Sequence, residues 1–201
     1  SRVYIEEEVY DDLIAKLVDA TGSIAVGNPL EQGTFMGPVI DDAAVERFQT
    51  AVDEVKNSGG EVLAGGVVLT EGEMAKGSYV APTLVSAPLD SWVWKEELFV
   101  PFVAITKVKS LEEGIALSND TDFGLTAGLF SGEEEEIDTW FKEIQAGVTY
   151  VNRAAGATTG AWPDINPFGG WKGSGTSGTG GGGPWYLRQF LREQSRTLIK
   201  N

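Results

Sequence analysis

The stretch PFGGWKGSGTSGTGGGG, Pro167 to Gly183, packs nine glycines into seventeen residues. Within it Gly173, Gly175 and Gly178 stand in G-x-G-x-x-G spacing, the pattern of a turn that brings backbone N–H groups up to a dinucleotide's pyrophosphate. That chemistry needs a strand before the first glycine, a helix after the last, and an acid about twenty residues further on for the ribose. Here Gly173 follows the turn-like NPFGGWK, Gly178 runs into four more glycines and Pro184, and the next acid is Glu193, with no room left for a second strand. A Walker-type cradle fails too, because Lys172 follows Trp171 where that pattern has glycine. A flexible linker sits badly with Trp171, Trp185 and Tyr186 at its edges. The better reading is a closely packed loop whose backbone passes so near something large that only glycine fits.

Few other side chains offer reactive chemistry. The 201 residues include no cysteine and no histidine. A disulfide framework, a thiolate metal site and a cysteine nucleophile on this chain are therefore excluded, and the commonest general base and metal ligand is missing, so no metal is expected. Thirty acidic against fifteen basic residues give a net charge of -15, which repels nucleic acid and anionic membrane and makes neither an expected partner. Two readings of the charge stay open: plain solubility, and adaptation to high salt. No apolar run of about eighteen residues offers a membrane span. The opening SRVYIEEEVYDD turns acidic where a secretory signal would be basic and then apolar. The expected location is cytoplasmic, and the NDT sequon at Asn119 is then a chance match.

The elements that must position any site read as an α/β domain. RVYI is a short strand. After it Val9, Leu13, Leu17 and Ala20 recur at helical spacing, with acids crowding the helix start. A loop from Ser23 to Ile40, punctuated by Gly27, Pro29, Gly33, Gly37 and Pro38, leads to a second helix from about Asp41. Its expected buried stripe is Val45, Phe48, Val52 and Val55, and Gly59 and Gly60 stop it. EVLAGG, VVLT and SYVAPTLVS each suggest a strand, and PFVAITKV is apolar enough for a strand buried on both faces. A helix at SLEEGIALSN, a strand at LTAGLFS, a helix over Glu133 to Gln145 and a strand at GVTYVN complete the alternation. That succession implies right-handed crossovers and a mostly parallel sheet with flanking helices. Glu133 to Glu136 reads as the solvated first turn of its helix.

Four stretches in order resemble the C-terminal catalytic segment of the aldehyde dehydrogenase superfamily: GNPLEQGTFMGPVI, EELFVPF, SNDTDFGLTAGLFS and PFGGWKGSG. Within it, YVNR, TTGAW, PFGGWKGSGTSG and YLRQFLREQS are most similar to 1-pyrroline-5-carboxylate (glutamate semialdehyde) dehydrogenases. Those enzymes oxidise glutamate γ-semialdehyde to glutamate with NAD or NADP in proline catabolism.

The resemblance assigns roles residue by residue. Glu97 corresponds to the carboxylate on the nicotinamide ribose hydroxyls, a role suited to a group that accepts two hydrogen bonds from a vicinal diol. Phe99 corresponds to the aromatic beside the nicotinamide ring, and Phe168 to a wall of the aldehyde pocket. Gly160 and Ala161 correspond to the pair whose backbone N–H groups hold the substrate's carboxylate. The glycine-rich stretch then borders the entrance to the active site. Residues 1–194 are expected to form the catalytic-domain segment, and residues 195–201 an oligomerisation strand that pairs with another subunit of a homo-oligomer.

There are departures. Val100 stands where the signature has glycine, and the stretch from Arg153 to Pro167 offers a second Gly-Ala at Gly156 and Ala157. The family's nucleophilic cysteine, glutamate base and cofactor domain would precede Ser1, so this chain alone is expected to be inactive. In the complete enzyme a thiolate attacks the aldehyde, hydride passes to the nicotinamide, and activated water hydrolyses the thioester. Two alternatives remain: a dehydrogenase for another semialdehyde, and a non-catalytic remnant of the fold used in assembly.

Overall fold

Three β-branched or aromatic residues alternate sides in β1 (Arg2–Glu6). The chain passes without a linker into α1 (Glu7–Gly22). The computed structural model describes residues 1–153, 165–175 and 180–200. The chain divides into two units, Ser1–Gly114 and Ile115–Asn201.

The first unit continues with α2 (Asp42–Asn57), β2 (Glu61–Ala64), β3 (Val68–Leu69), β4 (Tyr79–Val80), β5 (Thr83–Ser86) and β6 (Phe102–Val108). Four strands form one sheet in the order β1-β6-β5-β2. β6 runs parallel to β1 and to β5, and β2 closes one edge antiparallel to β5. The strand period of two feeds a separate core on each face. Phe102 and Ala104, with Val85, face α2 and join Phe48, Ala51, Val52, Val55, Trp94 and Leu98. Ile105, Leu84 and Ile5 face the other way, where Tyr10, Ile14, Leu17 and Val18 of α1 cover them. The expectation of a strand buried on both faces thus holds for β6.

α2 buries Phe48, Val52 and Val55 as the spacing predicts, with Ala44 and Ala51 beside them and Val45 half-buried. Its N-terminus is capped by Asp41, whose Oδ1 accepts from the Ala44 N–H at 2.8 Å. α1 departs from expectation. Val9 is 53 % exposed, and Tyr10, Ile14 and Val18 join the expected Leu17 on the sheet, in place of Val9, Leu13 and Ala20. Both stripes are apolar, and because α1 leaves β1 directly, the strand sets which one faces inward. SYVAPTLVS is two strands, not one. Pro82 has no N–H to extend a ladder, so β4 pairs with β3, and β5 turns to β6.

The second unit begins within α3 (Leu111–Asn119) and holds β7 (Phe123–Gly124), β8 (Thr126–Leu129), α4 (Glu134–Glu143), β9 (Val148–Val151) and β10 (Trp171–Lys172). β8 and β9 are parallel, Thr126 opposite Val148 through Leu129 opposite Val151, with α4 as their crossover. Trp140, Ile144, Ala146 and Val148 are buried here. The first turn of α4 is solvated at Glu134 and Glu135, while Glu136 accepts the Ser131 hydroxyl. Asn152 locks the far ends of β8 and β9: its Oδ1 accepts from the Ser131 N–H at 3.0 Å and its Nδ2 donates to the Ser131 carbonyl at 2.7 Å. The sequon residue Asn119 has a structural task. Its Nδ2 donates to the Glu143 carbonyl (2.9 Å) and its Oδ1 accepts from the Gln145 N–H (2.8 Å). The strand expected over 195–201 would need another subunit to pair with. The tail has no regular structure, and Leu198 and Ile199 are 81 % and 83 % exposed. A strand exists only against a partner, and this tail is paired with no described strand of its own chain.

Candidate functional site

In the first unit the segment from Ser91 to Pro101 is a loop that the core holds from below. A short 3-10 turn, Trp92–Trp94, buries Val93 and Trp94. The Trp94 ring stacks on Tyr4 of β1 with centroids 5.4 Å apart, and its indole N–H donates to the Pro88 carbonyl at 2.9 Å. Leu98 is 8 % exposed and belongs to the core under α2, while Phe99 beside it is 78 % exposed. Glu97 is exposed as well. One buried leucine therefore separates the two residues expected at a cofactor.

Phe99 has φ +52°, one of three non-glycine residues with positive φ among those described. The left-handed region costs an L-residue about 1–2 kcal/mol, and such strain persists only where the surroundings impose it. Two bonds from α2 impose it. The Arg47 Nε donates to the Leu98 carbonyl at 2.9 Å, and the Ser91 hydroxyl donates to Glu54 Oε1 at 2.8 Å. A hydrogen bond to a charged group contributes roughly 1.5–3 kcal/mol, enough to offset the strain. Val100 packs against the core at a negative φ. The left-handed turn falls on Phe99, so the valine in the signature's glycine position is accommodated.

Among the described residues no hydrogen bond or salt bridge occupies the Glu97 carboxylate. The start of β1 is held beside this loop, where the Ser1 carbonyl accepts from the Ala104 N–H at 3.0 Å. An uncommitted carboxylate and an exposed ring on a fixed backbone suit a nucleotide's diol and an aromatic face. Nothing in the sequence patterns singled out Arg47 or Glu54. The signal available was their spacing of seven, which puts two polar residues two turns apart on one flank of a buried stripe.

In the second unit the glycine-rich stretch lines a cleft of about 410 Å³ with Leu125, Gly147, Phe168 and Trp171. Phe168 is half-buried and exchanges backbone hydrogen bonds with Gly181 at 2.7 and 2.9 Å. β10 pairs with β7, and the Ser174 hydroxyl accepts from the Gly124 N–H at 3.0 Å. Lys172, at φ +52°, donates through Nζ to the carbonyls of Asn119 (2.5 Å) and Thr121 (3.2 Å), fastening the loop to the end of α3. The large neighbour that the glycines accommodate is other backbone. A Cβ at Gly147 would overlap the Gly169 carbonyl oxygen, one at Gly175 the Gly170 carbonyl oxygen, and one at Gly180 would lie 2.5 Å from the Phe168 carbonyl oxygen. Gly173 directly follows the two-residue strand β10 and begins a turn rather than a helix. Gly178 lies outside the described residues, as do Gly160, Ala161, Gly156 and Ala157.

A mostly parallel sheet covered on both faces in the first unit, an exposed Glu-x-Phe clip on it, and a glycine-packed loop in the second unit define an α/β enzyme segment. The chain belongs to the aldehyde dehydrogenase family, whose profile matches residues 1–195. It is 39% identical over 198 residues to a 1-pyrroline-5-carboxylate dehydrogenase of Bacillus cytotoxicus, covering 98% of this chain and 36% of that protein. An aldehyde dehydrogenase family 7 member A1 of Pisum sativum is 34% identical over 200 residues, covering 98% and 37%. A betaine aldehyde dehydrogenase of Staphylococcus aureus, solved in complex with NAD+, superposes with a TM-score of 0.84 at 25% identity over 96% of this chain and 37% of that one. The chain thus spans a little over a third of the length of these relatives. No helix among the described residues is long and apolar enough to cross a membrane.

Proposed function

We propose that the chain supplies the nicotinamide-side anchor and part of the aldehyde pocket of an NAD- or NADP-dependent dehydrogenase, and that the complete enzyme oxidises glutamate γ-semialdehyde to glutamate in proline catabolism. The observation that carries this reading is the Glu97–Phe99 clip, an uncommitted carboxylate and an exposed ring on a strained backbone held by a buried leucine. Glu97 accepts from the two ribose hydroxyls, and Phe99 lies against the nicotinamide ring. The bound cofactor supplies the hydride acceptor. Phe168 forms a wall of the aldehyde pocket, and the backbone N–H groups of Gly160 and Ala161 receive the substrate's carboxylate. Residues 1–194 act as the catalytic-domain segment. Residues 195–201 form a strand only against another subunit of a cytoplasmic homo-oligomer, a role that suits the exposed Leu198 and Ile199.

The choice of semialdehyde is supported by the name of the Bacillus cytotoxicus relative. A different semialdehyde is the second reading, because the Pisum sativum relative, from another branch of the family by name, is nearly as similar. Comparing kcat/KM of the complete enzyme across semialdehydes separates the two. With no cysteine, the isolated chain is expected to oxidise no aldehyde with either cofactor, and turnover by it would overturn the mechanism. In the complete enzyme, Glu97→Gln is expected to weaken hydride transfer by roughly 1–3 kcal/mol, the scale of a hydrogen bond to a charged group, with the melting temperature nearly unchanged. An unaltered rate with a lowered melting temperature would make Glu97 a structural acid.

A further inference from the structure

We infer that Arg47 of α2 is a positioning residue for the nicotinamide-side clip, directing Glu97 and Phe99 without touching the cofactor; the inference rests on the reading of that clip given above. The Leu98 carbonyl that Arg47 holds at 2.9 Å belongs to the peptide plane from which Phe99 leaves. Fixing that carbonyl fixes the plane, and so the direction in which Phe99 leaves it; Glu97 is held through the pinned Leu98 to which it is bonded. Without a restraint, a phenylalanine at φ +52° relaxes toward negative φ. The Leu98 side chain, buried under α2, pins the same residue from its other end.

The opposite end of the loop is held from the same helix. Ser91, itself 4 % exposed, donates to Glu54, which lies two turns along α2 from Arg47. The loop is therefore clipped at both ends to one rigid element, as a preorganised binding segment requires. The chemistry of Arg47 points the same way. In a chain with thirty acids against fifteen bases, its guanidinium is spent on a main-chain carbonyl directly before the strained residue. The planar fork of arginine suits this better than lysine's single ammonium, because its donor direction is fixed by the side-chain plane.

The test uses the complete enzyme. Arg47→Met, which keeps the aliphatic stem, and Arg47→Lys are compared with wild type and with Glu97→Gln for cofactor KM, aldehyde KM, kcat and melting temperature. Arg47→Met is expected to raise the cofactor KM roughly tenfold, the scale of one lost charge-assisted hydrogen bond. Aldehyde KM should stay near wild type, and Arg47→Lys should recover only part of the loss. A purely structural role would lower the melting temperature and leave the cofactor KM of the folded fraction unchanged. The inference is overturned if Glu97→Gln impairs cofactor use while Arg47→Met does not. If neither does, the reading of the clip fails with it. Should Arg47→Met not fold, Arg47→Lys decides, and a wild-type cofactor KM in that variant overturns the proposal.

Discussion

Placing a methyl group on Gly147 probes the contact on which the glycine-rich loop depends. The added Cβ would overlap the carbonyl oxygen of Gly169, lie 2.7 Å from that residue's carbonyl carbon and 3.1 Å from the Cα of Gly170. All three are backbone atoms, so no side chain can swing aside. Gly147 is tied on one side by its N–H to the Gly124 carbonyl (3.0 Å), and the next N–H, of Val148, goes to Leu125 (2.9 Å). The loop is tied on the other side by the Phe168–Gly181 bridge and by Lys172. One of the two must retreat by more than about 1 Å, an overpacking change that costs roughly 1–3 kcal/mol. For a chain of this length, a loss of that size lowers the melting temperature by roughly 2–10 °C. Thermal melts of Gly147→Ala and Gly22→Ala are the assay. Gly22 closes α1 with nothing within 4 Å of its added Cβ, so alanine there is expected to hold or raise stability, by up to about 1 kcal/mol. In the complete enzyme Gly147→Ala should also raise the aldehyde KM, since Phe168 moves with the loop, and leave the cofactor KM alone. A Gly147→Ala protein that melts with wild type would refute the close approach and the packed-loop account built on it.

Two further predictions concern local structure. Asp41→Ala removes the acceptor for the Ala44 N–H and is expected to destabilise the protein by about 1 kcal/mol, whereas Asp41→Asn should lose little; equal denaturant midpoints for all three proteins would count against the cap. The Glu112 carboxyl is held below its ordinary 4.5 by the Ser110 hydroxyl first and its own backbone N–H second, against a small desolvation. A lowered folded-state pKa contributes stability that is fully present above 4.5 and lost as pH falls through the folded value. Ser110→Ala should return Glu112 toward 4.5 in an NMR titration and narrow the stability difference between pH 7 and acid; an unmoved titration would show that the hydroxyl is not the cause.

Short-range patterns carried a good part of the fold. The nearly continuous apolar run of PFVAITKV announced a strand buried on both faces, and the stripe Phe48, Val52, Val55 announced α2, because both depend only on neighbours along the chain. The glycine loop was legible as packed rather than phosphate-binding from its flanking tryptophans, but its neighbour, backbone near Gly147, was not. Glu97, Phe99 and Phe168 were legible only through family motifs, and their settings came from elsewhere. The phase of α1 is set by the strand it leaves, and the break at Pro82 by which strand each half can pair with. The clip is held by Arg47 reaching across 51 residues and by Glu54 holding Ser91 across 37. Such bonds leave no periodic trace, since Arg47 and Glu54 are locally ordinary polar residues of a helix and their partners are a main-chain carbonyl and a serine. They exist only because the sheet brings α2 and the loop after β5 onto one core, and that closure belongs to the folded chain rather than to any window of it.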